Sequence, residues 1–154
     1  MRTWVARRWT RLVLPAAVAG LIVGVSVAGA GTVFVSAKVS DNGRVHDLLS
    51  GSFKQTVTCV KACRLNTEVG IQPKIARRLG FSGIKAGEPW FWIATSKATL
   101  KAKTPTRLGF VLTPQAKKLL PHAKTGFQIL GLVKAVVSQN SSKQASITWI
   151  TTLK

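Results

Sequence analysis

The chain has few of the residues that catalysis usually requires. Its 154 residues include only four acids and two histidines. Hydrolytic enzymes need a base oriented beside a nucleophile, or a pair of carboxylates, and none of these residues falls in such a motif. Gly-rich phosphate loops, Walker patterns and Gly-x-Ser-x-Gly elbows are also missing. We therefore predict that the protein is not an enzyme and has no catalytic residues and no cofactor.

Cysteine is equally scarce, with only Cys59 and Cys63. Zinc normally takes four ligands, and the remaining candidates, His46 and His122, are remote from each other in sequence. In an oxidising compartment, an even number of cysteines at short spacing indicates a disulfide. We predict a Cys59–Cys63 disulfide and no metal site.

Acidic residues are the third scarce type. The chain has four of them and 23 lysines and arginines, which gives a formal net charge of +19. No acid follows Glu88. Such a charge attracts polyanions, including cell-wall polymers, anionic lipid headgroups and nucleic acid. No helix-turn-helix, zinc-finger or stacking-platform signature indicates specific nucleic-acid recognition. The candidate polyanion contacts are basic residues that lie beyond residue 73: Lys74, Arg77, Arg78, Lys97, Lys101, Lys103, Lys117, Lys118 and Lys124.

One long stretch, Leu12–Ala37, carries no charge and exceeds the roughly 20 residues that span a bilayer. The arginines before it are Arg2, Arg7, Arg8 and Arg11. Ala28-Gly29-Ala30 fits a signal-peptide cleavage signature, and Val35-Ser36-Ala37 is a weaker second site. Residues 1–37 are therefore either a cleaved signal peptide or an uncleaved transmembrane anchor, and both interpretations stay open.

Both interpretations give the same location, because the arginines hold the N-terminus in the cytoplasm. The rest of the chain is then extracytoplasmic. It is either secreted or a single-pass protein held in the cytoplasmic membrane by residues 12–37. We predict a structural or interaction module that associates loosely with anionic envelope polymers or lipids. The alternative is a dedicated polyanion or nucleic-acid binding protein.

The exported part has the periodicity of an all-β domain. Residues 38–52 are rich in turn residues and are interpreted as a linker. Alternation of apolar and polar residues predicts strands over 53–59, 65–71 and 107–112, and a hairpin over 126–153 whose strands are joined by residues 139–142. Val133, Val137, Ile147 and Trp149 of this hairpin are predicted to face the core. Residues 53–154 are therefore expected to form a β-sandwich, with a partly open barrel as the alternative.

Two short helical turns are predicted within this domain, each opened by a proline. Pro73 precedes one that Gly80 ends, and Thr113 can cap another that begins at Pro114. The apolar run Trp90-Phe91-Trp92-Ile93-Ala94 is typical of a central strand. We expect Trp90 and Trp92 to fill the core, because aromatic rings commonly dominate cores, with an exposed platform for sugar or membrane-interface contact as the alternative.

Four motifs follow one another along this domain: Cys59 and Cys63, Ala76-Arg77-Arg78-Leu79-Gly80, Leu112-Thr113 and Ala116-Lys117-Lys118-Leu119. In the order of these motifs the chain resembles a domain of exported actinobacterial proteins. The resemblance covers about residues 53–154 and implies an immunoglobulin-like sandwich without catalytic residues. The chain departs from this pattern at its hairpin, where Gln139-Asn140-Ser141-Ser142 replaces an acidic residue and a glycine.

Overall fold

The computed structural model describes residues 34–39, 43–124 and 126–154. These residues form eight strands in two antiparallel sheets, with three short α-helices and one 3-10 turn. The prediction of a mostly β domain is confirmed. Most of the predicted signal peptide or anchor lies outside the described residues. Within the described part, no helix is long and apolar enough to cross a membrane.

The smaller sheet has three strands. They are β1 (Val35–Val39), β2 (Gln55–Cys59) and β5 (Thr106–Leu108). β2 is central and pairs with β1 on one side and β5 on the other. The larger sheet contains β3 (Cys63–Ile71), β4 (Phe91–Leu100), β6 (Val111–Leu112), β7 (Phe127–Val137) and β8 (Asn140–Leu153). Their order is β6-β4-β3-β7-β8.

The two sheets share one core, built by the period-two alternation of their strands. In β2, Val57 and Cys59 are fully buried, and Phe53 just before the strand is 3% exposed. Val69 and Ile71 of β3 meet them from the larger sheet. The core residues predicted in the hairpin are all buried, as expected: Val133, Val137, Ile147 and Trp149.

A buried polar network joins the two sheets through Gln55. Its side-chain Nε2 donates to Thr67 Oγ1 at 2.8 Å, and its Oε1 accepts from Trp149 Nε1 at 3.2 Å. All three side chains are at most 2% exposed. Because buried polar groups cost free energy when unpaired, this network fixes how the central strand of one sheet lies over the other.

The expectation that Trp90 and Trp92 fill the core is wrong. The pairing of β3 with β4 shifts between Val69 and Gly70, so that β4 has one extra residue at Ile93. This bulge turns both Ile93 and Ala94 inward, and Trp92 then lies opposite Gly70 on the outer face. The ring carbon Cε3 of Trp92 would lie 3.0 Å from a Cβ at Gly70, so the indole covers that glycine.

Helices α1 (Val45–Ser50), α2 (Pro73–Arg78) and α3 (Pro114–Leu119) are all six residues long. The predicted turns at Pro73 and Pro114 are confirmed as α2 and α3. Thr113 Oγ1 accepts a hydrogen bond from the backbone N–H of Ala116 at 3.2 Å, as expected of an N-cap. A 3-10 turn, Leu120–His122, continues α3.

The interpretation of residues 38–52 as a linker is not what the structure shows. This segment contains the end of β1 and the whole of α1, and Leu48 of α1 is 1% exposed in the core. The Val45 N–H donates to the Lys154 carbonyl at 3.1 Å, and the Lys154 N–H donates to the Gly43 carbonyl at 3.0 Å. Burial of Leu48 and these two bonds tie the segment to the C-terminus, so the folded domain begins before residue 53.

Two predicted boundaries also change. The strand expected over 107–112 is divided, because β5 belongs to the smaller sheet and β6 to the larger one. Phe110, between them, packs into the core against Phe53 and Trp149, with ring centroids 5.8 and 6.1 Å away. In the hairpin, β8 begins at Asn140, so the connection is shorter than the predicted 139–142.

Candidate polyanion interface

The helices gather at one end of the sandwich, which we call the helical end. α2 follows Ile71, the last residue of β3, and α3 follows β6, where the Thr113 N–H donates to the Ile93 carbonyl at 2.9 Å. Gln115 Nε2 of α3 donates to Ser82 Oγ, just after α2, at 2.6 Å. The 3-10 turn contacts α1. All four helical elements therefore lie where β3 ends and β4 begins.

Most of the predicted polyanion contacts lie at this helical end. Ala76 and Ala116 are fully buried and hold α2 and α3 against the core. Each helix therefore turns its basic residues to solvent, as expected for an amphipathic turn. The predicted residues brought to the helical end are all exposed: Lys74, Arg77, Arg78, Lys117, Lys118 and Lys124.

The other predicted contacts lie elsewhere. Lys101 and Lys103 follow β4 at the opposite end, beside the disulfide. Lys97 lies on the outer face of the larger sheet, paired in register with Asn66. There it lines a shallow, open depression together with Arg64 and Thr99. The nine residues therefore do not form one site.

The predicted disulfide is confirmed. Cys59 ends β2 and Cys63 begins β3, and their sulfurs are bonded with the Cα atoms 6.3 Å apart. Both cysteines are fully buried. The bond joins the two sheets through the tight bend at residues 60–62.

We call this region the disulfide end and define it by residue 34 and residues 60–62, 101–104 and 138–143. The Val60 N–H donates to the Phe34 carbonyl, and the Lys103 N–H donates to the Cys59 carbonyl, both at 2.7 Å. The Ser138 N–H donates to the Ala62 carbonyl at 2.9 Å. The start of β1, the bend and the hairpin connection are thus held together.

The described part of the chain has few carboxylates, and each of them already has a partner within the domain. Glu68 accepts a hydrogen bond from Lys134 Nζ at 2.9 Å, and Glu88 lies 3.9 Å from Lys85. Asp47 lies in α1, where its side chain accepts from the Arg44 N–H at 2.9 Å. None of the six predicted contacts at the helical end forms an ion pair within the described residues. Their charge is therefore available to a partner.

The described residues offer little for other chemistry. Nowhere in residues 34–39, 43–124 and 126–154 do three or more His, Cys, Asp or Glu side chains group as a metal site would require. His46 is 82% exposed and lies 4.0 Å from its neighbour Asp47, and His122 is exposed in the 3-10 turn.

Sequence reasoning missed the cations Lys61 and Lys143, which the fold places at the disulfide end together with Lys101 and Lys103. Lys61 lies inside the predicted disulfide loop, and Lys143 lies beside the predicted hairpin connection. Their positions beside these two bends were the signal that could have placed them together.

Comparison with protein-family models, with curated proteins and with solved structures finds no match for the chain.

Proposed function

We propose that this chain is a non-catalytic immunoglobulin-like module, exported and then either released or held in the membrane, that associates loosely with anionic components of the cell envelope. The observation that carries the proposal is the exposed cationic cluster at the helical end, which has no carboxylate partner among the described residues. A cluster of this kind raises the local concentration of anions without a shaped pocket.

The strand order supports the immunoglobulin-like class. In that fold one sheet contains strands A, B, E and D, and the other contains C, F and G, extended by C′ in variable domains. The order β1-β2-β5 is that of A, B and E, and the order β4-β3-β7-β8 is that of C′, C, F and G; no described strand lies beside β5 at the position of D. The disulfide differs from the one in antibody domains, because it joins the end of β2 to the start of β3.

Loose association fits the chemistry of these side chains better than specific recognition does. Four of the six are lysines, whose ammonium groups are strongly hydrated point charges on flexible stems. Binding by such groups depends on charge density and on counterion release, and it weakens as salt rises. We therefore expect affinity to follow the number of anionic groups in the partner.

The test uses the full-length chain in neutral detergent micelles and a fluorescent linear polyphosphate. If six phosphates are neutralised, the logarithm of affinity should fall with a slope of about −4 against the logarithm of salt concentration, which is about 300-fold between 50 and 200 mM. Lys117→Gln/Lys118→Gln should make that slope less steep by about 1.4.

Arg64→Gln/Lys97→Gln is the matched control. It removes the same charge from the outer face of the larger sheet, where both exposed side chains line the shallow depression away from the helical end. The control should leave the slope close to that of the parent chain. An affinity that does not change between the two salt concentrations would contradict the proposal. Binding of single-stranded DNA more than tenfold tighter than polyphosphate with equal phosphate number would favour the nucleic-acid alternative.

A further inference from the structure

The direction in which the chain enters the sandwich distinguishes its two ends. β1 begins at Val35, which pairs with Cys59, and runs toward Val39, which pairs with Gln55. The chain before β1 therefore arrives at the disulfide end and not at the helical end. Phe34, which directly precedes β1, accepts a hydrogen bond from the Val60 N–H at the disulfide end.

A membrane-spanning segment that starts at Leu12 would end close to this end. Twenty residues counted from Leu12, enough to span a bilayer, reach Gly31. Four residue steps then lead to Val35, which an extended chain covers in at most about 14 Å. An anchor in this run would hold the disulfide end close to the headgroups.

The helical end would then be held away from the membrane. β3 contains nine residues between the two ends. At about 3.3 Å per residue, these residues separate the ends by about 26 Å. This separation exceeds the screening length of about 8 Å at physiological salt, so each end meets its surroundings independently.

The disulfide end has the composition of a surface that rests on anionic lipid. It presents four exposed cations: Lys61, Lys101, Lys103 and Lys143. Val60, directly before Lys61, is 51% exposed and is one of the few large apolar side chains that the described residues show to solvent. Basic residues next to an anchor are attracted to anionic leaflets, and an apolar side chain can enter the headgroup region.

No described carboxylate opposes this charge at the disulfide end. Asp47 lies in α1 and Glu88 precedes β4, both at the helical end. Glu68 lies in the middle of β3, where it pairs with Lys134. The backbone of Lys103 is held at this end by the hydrogen bond from its N–H to the Cys59 carbonyl. The bend closed by the disulfide holds Val60 and Lys61.

We infer that the disulfide end docks on the outer surface of an anionic membrane, with Val60 at the headgroups and Lys61, Lys101, Lys103 and Lys143 against lipid phosphates. This inference rests on the membrane-held form of the proposed function. It assigns the two ends to different partners, because the helical end is left facing the envelope beyond the membrane.

The test reconstitutes the full-length chain into vesicles of phosphatidylcholine and phosphatidylglycerol and labels lysines with a membrane-impermeant acetylating reagent. Peptide mass spectrometry then gives a rate for each lysine. Relative to neutral micelles, acetylation of Lys61, Lys101, Lys103 and Lys143 should slow several-fold. The rates of Lys117 and Lys118 should stay the same and serve as internal controls. Protection should weaken in vesicles of phosphatidylcholine alone.

Charge-neutral variants sharpen the test. Lys61→Gln/Lys101→Gln should lower occupancy of the docked orientation by about fivefold per lysine, about 25-fold together, and so return Lys103 and Lys143 toward their micelle rates. Lys117→Gln/Lys118→Gln removes the same charge from the helical end and should leave that protection intact.

Equal slowing at both ends, or slowing at the helical end alone, would overturn the inference while leaving polyanion binding intact. A chain that fails to float with the vesicles would also overturn it, since no anchor would hold the disulfide end. Loss of salt-dependent polyphosphate binding with lysine protection retained would instead refute the role of the helical end.

Discussion

Replacing Gly131 by alanine should destabilise the sandwich strongly. Gly131 of β7 lies opposite Trp149 of β8, and the indole crosses the space that a side chain at 131 would need. A Cβ there would overlap Cε2 and Cζ2 of the ring and lie 2.5 Å from Nε1. Because Trp149 is 2% exposed and packs against the ring of Phe53 at 6.2 Å, it has little room to retreat.

The magnitude follows from two effects. Overpacking of a core costs about 1 to 3 kcal/mol. Movement of the indole also breaks the bond from Trp149 Nε1 to Gln55 Oε1, and an unpaired buried acceptor costs about 1 to 3 kcal/mol. Gly131→Ala should therefore lower the free energy of unfolding by about 2 to 6 kcal/mol.

Urea unfolding of the oxidised full-length chain, followed by near-ultraviolet circular dichroism, measures this change. With a denaturant slope of about 2 kcal/mol per molar urea, the midpoint should fall by about 1 to 3 M. Gly109→Ala is the matched control, because Gly109 is exposed and the nearest atom to its added Cβ is the Gly51 carbonyl oxygen at 3.9 Å. The control should shift stability by no more than about 0.5 kcal/mol. A midpoint for Gly131→Ala equal to that of Gly109→Ala would refute the reasoning.

Three further predictions concern the outer tryptophan, the disulfide and a helix cap. Trp92→Phe should remove emission that acrylamide quenches readily, whereas Trp149→Phe should remove blue-shifted, protected emission, and equal quenching in both difference spectra would contradict the placement of Trp92. Replacing Cys59 and Cys63 by alanine should cost about 2 kcal/mol in urea unfolding, because the loop is short, and an unchanged midpoint would oppose this. Thr113→Ala should cost about 1 kcal/mol and Thr113→Ser much less, so equal losses would argue against the cap.

The parts of the fold that sequence predicted are those with a complete local signal. The sequences of β2 and β3 alternate without interruption, and both predicted strands are present, with Val57 and Val69 fully buried. α2 and α3 are marked by a proline at the first position, and Gly80 after α2 has a φ of 85°, which glycine adopts without strain. Such signals depend on neighbouring residues alone.

The failures come from contacts between distant residues. The side on which Trp92 lies depends on a bulge in its pairing with β3, which alternation along β4 does not reveal. Helix α1 is only six residues long and is stabilised by bonds to Lys154, more than a hundred positions away. Its spacing of Val45, Leu48 and Leu49 was nevertheless a usable helical signal.

The candidate site was predicted in composition but not in arrangement. Lysines and arginines can be counted in any sequence, but their division between two ends depends on the topology of the sheets. Lys101 and Lys117 are both basic and exposed, yet one follows β4 at the disulfide end and the other lies in α3 at the helical end. No periodicity along the chain carries that information.

The position of β1 has a consequence for proteolytic maturation. A peptidase that cuts after Ala37 would discard three of the five residues of β1, including Val35, which is 2% exposed opposite Cys59. β2 would lose most of the strand that pairs with it on this side. Cys59 of the disulfide would lose Val35, the residue that pairs with it in β1. A cut after Ala30 leaves β1 whole. A mature N-terminus at Gly31 is therefore compatible with the intact sandwich, and one at Lys38 is not.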